Sequence, residues 1–152
     1  MIKSAAVLFA GVLCLPGTLW AADVVTVPSM SADFTAEQRT KLEQALVVAN
    51  RVLGSTAFRD QLSAIERFNY SGDDGSAVYA ALLAKSYTLE FDAVAKYAIR
   101  VRVFGRTITR KSKMIARTGE GSGKITFNTA RMADFDVGYY AGTIVHELTH
   151  IA

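Results

Sequence analysis

The chain has 152 residues, of which 51% are hydrophobic and 20% charged. That length suits one domain with a modest core, and that composition excludes a disordered or low-complexity chain. The formal net charge of +3 falls to +2 without Lys3, too small by itself to imply a nucleic-acid or anionic-surface partner.

The first element is a targeting segment, read over residues 1–22. Lys3 supplies a positive start, residues 5–15 form a short apolar run, and Ala21 and Ala22 offer small side chains for cleavage. Pro16 and Gly17 interrupt the run too early for a good membrane span, so an uncleaved anchor is the weaker alternative. Cys14 is the single cysteine and leaves with this segment; the bulky Leu13 before it argues against lipid attachment. The mature domain, residues 23–152, then has no thiol and no disulfide. Its expected location is secreted or periplasmic, with no membrane contact after removal of the signal.

Residues 23–33 read as an extended leader. Thr35 and Gln38 form a capping box, and Leu42, Ala45, Leu46, Ala49, Val52 and Leu53 follow at helical spacing, with Gly54 as a stop. This predicts a helix over 36–53. Ser55 caps a second, shorter helix with Phe58, Leu62 and Ile65 on one face. A loop over 71–76 precedes a third short helix over 77–85.

The period then changes to two. Tyr87, Leu89 and Phe91 alternate with Thr88, Glu90 and Asp92, and Ile99, Val101 and Val103 alternate with Arg100 and Arg102. Gly105 and the glycines of 119–123 punctuate further strand material. Residues 124–128 are a last short strand. A polar linker leads to Asp136, which caps a final helix running from about Val137 to the end. Helices, then strands, then a helix make an α+β arrangement, with no internal repeat.

The only two histidines, His146 and His150, are four apart on that last helix, and Glu147 follows the first. Residues four apart stand on one helix face, so both imidazoles can meet one metal ion. Glu147 lies to the adjacent side, where its carboxylate can take a proton from a metal-bound water without being a ligand. Tyr140, Ile144, Leu148 and Ile151 give the helix a separate apolar face for the core.

His146-Glu147-Leu148-Thr149-His150, preceded by Val145, resembles the active-site helix of the zincin zinc metallopeptidases. The strong likeness covers these residues; the order of elements extends it weakly over 34–152. The resemblance implies a small, twisted, mostly antiparallel sheet packed on this helix. It also implies a peptide or protein substrate bound in extended form along an edge strand, for which Ile125, Thr126, Phe127 and Asn128 are the candidates. Zinc would be held by His146 and His150, with Glu147 as general base. A catalytic zinc needs a third protein ligand, which zincins supply downstream. That ligand is expected beyond Ala152, so the chain reads as an N-terminal fragment, inactive alone. The alternative is a secreted binding or structural module, a degenerate zincin that keeps the helix without catalysing.

Weaker signals have simpler readings. Arg100, Arg102, Arg106, Arg110, Lys111, Lys113 and Arg117 would suit an acidic polymer, but the solvated face of strands explains them too, and no nucleic-acid partner is expected. Asp73 and Asp74 lack the ligand spacing of a calcium loop. The glycines of 119–123 lack the lysine of a phosphate loop. Tyr139, seven residues before His146, either approaches the cleft or is an ordinary helix-start tyrosine.

Overall fold

A computed structural model describes residues 23–68, 72–95, 98–103, 106–111, 114–119 and 122–152. The targeting segment expected over 1–22 lies outside the described residues, as do Ser71, Gly105, Lys113 and Gly121. The fold is α+β, as expected from the order of elements.

Strand β1 (Val25–Met30) comes first, followed by helices α1 (Ala36–Leu53), α2 (Thr56–Ser63) and α3 (Gly75–Leu83). Strands β2 (Tyr87–Val94), β3 (Ala98–Val103), β4 (Arg106–Lys111), β5 (Ala116–Thr118) and β6 (Lys124–Asn128) come next. A single 3₁₀ segment (Thr129–Asp134) then leads into α4 (Val137–Leu148).

The helices start where side chains meet orphan amides. Thr35 and Gln38 form the reciprocal capping box of α1, Ser55 accepts from the amide of Phe58, and Asp74 accepts from that of Ala77. The Asp74 cap moves α3 two residues earlier than the expected start and shortens the loop before it. Gly54 ends α1 in a right-handed conformation, so the stop does not draw on glycine's left-handed freedom.

The main sheet has the order β1-β2-β6-β5. The pairs β1–β2 and β2–β6 are parallel and β5–β6 is antiparallel. This corrects the expectation of a mostly antiparallel sheet. The cause is the long helical connection from β1 to β2, which carries the chain back to the same end before it re-enters the sheet. The extended leader became β1 itself, an edge strand that tolerates Pro28. Asn50 of α1 ties it down: its amide donates to the Val25 carbonyl and its oxygen accepts from the Val25 amide, both at 2.9 Å.

Tyr87, Leu89 and Phe91 of β2 are buried, while Thr88 and Glu90 are exposed. The period-two pattern thus marks a sheet with one face in the core and one in solvent. On the solvent face Lys124 bridges Glu90 at 3.4 Å and Asp92 at 3.9 Å. Phe127 sits at the centre of the core, its ring meeting those of Phe34, Phe91 and Tyr140 at 6.4, 5.1 and 5.9 Å. Helices α1 and α4 pack on each other, and α4 also touches β5. β3 and β4 form a separate antiparallel hairpin. Among the described residues no helix is long and apolar enough to cross a membrane.

Candidate metal centre

Asp136 accepts from the amide of Tyr139 at 2.8 Å and so starts α4, as its position before the apolar stripe implies. Tyr140, Ile144 and Leu148 of the expected apolar face are buried and Ile151 is half-buried; Ala141 and Val145 widen the stripe. Burial of this stripe sets the rotation of the helix. His146 and His150 are thereby turned outward, and both are exposed. Their ring centroids are 5.1 Å apart with planes at 89°.

Two imidazoles that each reach one zinc ion through a ring nitrogen at about 2.0–2.1 Å hold their ring centres about 5 Å apart. The imidazoles of His146 and His150 stand at that separation. Among the described residues no group of three or more His, Cys, Asp and Glu side chains could hold a metal ion. Asp134 instead pairs with Arg131, and Asp136 is committed to the helix cap.

Glu147 differs from the two histidines in being only 6% exposed. Its carboxylate makes no hydrogen bond or ion pair with the described residues. Burial of Glu147 beside two exposed histidines was not legible in the motif.

The end of the helix departs from the sequence expectation. Regular α-helix stops at Leu148, and the amides of Thr149, His150 and Ile151 bond three residues back, to His146, Glu147 and Leu148. His150 thus stands in a tightened final turn. The Thr149 hydroxyl donates to the His146 carbonyl at 2.6 Å, and the Lys85 ammonium donates to the Ile151 carbonyl at 3.2 Å. A cation there complements the negative end of the helix.

Ile125, Thr126, Phe127 and Asn128 do not form an edge. β6 is paired on one side with β2 and on the other with β5, and Ile125, Phe127 and Asn128 are buried. The substrate-edge assignment for these residues is therefore corrected: apolar alternation marked a central strand, not an edge. The strand that ends the sheet order on this side is β5, and it touches α4. Its three residues are too few to carry a period of their own.

Tyr139 is 45% exposed and stacks on Phe135, with centroids 4.1 Å apart and planes at 17°. The Arg131 guanidinium lies over the Phe135 ring at 5.4 Å. The four-residue spacing of Phe135 and Tyr139 was a signal the sequence reading missed. Beneath them, burial pushes the Tyr140 phenol up to about 12, helped by the Asp134 carboxylate and by Tyr139, against the lowering pull of Arg131.

Comparison of the chain with family models, curated proteins and solved structures finds no match.

Proposed function

We propose that the chain carries the metal-binding helix of a secreted, zinc-dependent peptidase. The observation that supports this best is the pair of exposed imidazoles 5.1 Å apart at the end of α4, with the buried Glu147 between them in sequence. His146 and His150 would hold the ion, and the third protein ligand is expected outside residues 1–152. Zinc supplies a bound water of lowered pKa and polarises a carbonyl.

The rest is work for the chain's own groups. The Glu147 carboxylate takes one proton from the attacking water and delivers it to the nitrogen of the leaving amine. The tightened turn and the Lys85 contact hold His150 in place. An extended peptide would add as a strand to the side of β5 away from β6, at the sheet edge beside α4.

The test begins by reading the coding DNA beyond Ala152 and expressing the whole frame. Zinc content and hydrolysis of an unstructured protein substrate are then measured for the wild type, His146→Ala and Glu147→Gln. His146→Ala is expected to lose both zinc and hydrolysis. Glu147→Gln is expected to keep zinc while hydrolysis falls on the order of 10²–10⁴-fold. Equal hydrolysis by the wild type and Glu147→Gln would sink the proposal. Zinc binding with no hydrolysis by the whole frame would support the rival, a secreted binding or structural module.

A further inference from the structure

Two tyrosines stand side by side near the start of α4 and meet opposite fates. Tyr140 is fully buried, whereas Tyr139 is 45% exposed. The exposed ring is nonetheless held. Phe135 stacks on it with centroids 4.1 Å apart, and the Tyr140 ring meets it at 6.2 Å with planes at 78°. The Tyr139 amide donates to the Asp136 cap at 2.8 Å, and the Arg131 guanidinium lies over the Phe135 ring at 5.4 Å. A ring fixed in this way has little freedom left to lose when a ligand arrives, which makes it a pre-organised platform.

Its place on the helix connects it to the histidines. At 3.6 residues per turn, Tyr139, Thr143 and His146 fall within about 60° around the axis of α4. Tyr139 and His146 are exposed, and Thr143 between them is half-buried with its hydroxyl donating to the Tyr139 carbonyl at 3.0 Å. No bulky or charged side chain of α4 therefore stands on the stripe between the ring and the first histidine. His146 lies about 10.5 Å along the axis from Tyr139 and His150 about 16.5 Å. An extended peptide advances about 3.3 Å per residue. A peptide lying along the stripe with its reacting carbonyl at the two histidines thus brings a side chain three to five residues away onto Tyr139.

We infer that Tyr139, backed by Phe135, is a specificity-determining subsite, and that it takes an aromatic side chain of the peptide substrate. The residue taken lies three to five positions from the bond to be cut, on the side towards the start of α4. The inference rests on the peptidase reading. A stack of two rings is continued best by a third, in an offset or edge-to-face arrangement, and an alanine in the same place covers little of the exposed ring.

The test uses the whole reading frame and a mixture of unstructured peptides varied at every position, with the cuts mapped by mass spectrometry. The wild type is expected to prefer Phe over Ala about three- to ten-fold at one position, three to five residues from the cut. Tyr139→Phe keeps the ring and is expected to keep that preference. Tyr139→Ala is expected to lose it through a higher KM for the Phe peptide, with zinc content unchanged. The preference is a ratio within each variant, so a general loss of activity cancels. Circular dichroism checks that each variant is folded. Hydrolysis with no aromatic preference at those positions, or a preference that survives in Tyr139→Ala, would overturn the inference and leave the peptidase reading standing. No hydrolysis by the wild type would overturn both. Concentration-dependent self-association abolished by Tyr139→Ala would give the ring to a second copy of the chain, which also overturns the inference.

Discussion

Gly75 opens α3 with its amide donating to the Ile65 carbonyl at 2.8 Å. A Cβ at this position would lie 1.6 Å from the Leu62 carbonyl oxygen and 2.5 Å from its carbon. Both are backbone atoms, so relief requires α2 and α3 to move apart. Gly75→Ala is expected to destabilise the fold by about 1–3 kcal/mol or more, read as a lower urea midpoint. An unchanged midpoint would mean that the α2–α3 contact is not held in solution. Tyr140 poses a different question at the same scale. Its folded pKa of about 12 exceeds the ordinary 10.0, so between these values the folded state retains a proton that the unfolded state has lost. The stabilisation is complete below pH 10 and declines as pH rises towards 12. The melting temperature should therefore fall more steeply over this range in the wild type than in Tyr140→Phe. Parallel profiles would refute a buried, neutral phenol. The closeness of the His146 and His150 rings was legible in the sequence, because residues four apart lie one turn apart. The burial of Glu147 was not, because burial depends on tertiary packing.

At the scale of elements, local rules read the caps of α1, α2 and α4 but missed Asp74 at the start of α3. Thr35, Ser55 and Asp136 were each read as caps, and each accepts a backbone hydrogen bond in that role. Asp136 bears on both stability and the proposed site, since it anchors the start of the helix that carries the histidines. Asp136→Ala is expected to cost about 1 kcal/mol of stability, measured by denaturant unfolding. On the proposed function it should weaken zinc binding only slightly, since the histidines lie at the far end of α4. A large loss of zinc affinity in a folded variant would show that the helix start is coupled to the site. Strand pairing was read less well. The alternation in 124–128 identified β6 but not its neighbours, because a period of two reports a buried face and is silent on which strands lie to either side. Hence a central strand was taken for an edge.

Across the whole molecule, Phe127 joins pieces that are remote in sequence. It meets Phe34 before α1, Phe91 on β2 and Tyr140 on α4, and is fully buried. Phe127→Ala is expected to destabilise the chain by about 3–5 kcal/mol, enough to leave much of a modest domain unfolded. Cooperative unfolding of the milder Phe127→Leu, with all helices lost together, would show that the sheet and α4 are one unit. If α4 unfolded separately from the sheet, it would be a satellite of the core and not part of it. Lys41 makes a related bridge, its ammonium donating to the carbonyls of Met132 at 2.9 Å and Phe135 at 3.2 Å, which ties α1 to the approach of α4.

The sequence by itself determined the α+β class, the caps of α1, α2 and α4, the apolar face of α4 and the closeness of His146 and His150. All of these rest on periodicity and on contacts within a few residues, which the order of side chains dictates directly. Only the tertiary structure decided that β1 and β6 run parallel to β2, that β6 is central and β5 marginal, that Glu147 is buried, and that β3 and β4 pair as a sheet of their own. Those outcomes depend on which surfaces remain to be covered once the helices have packed, and that competition is settled between residues far apart in the chain.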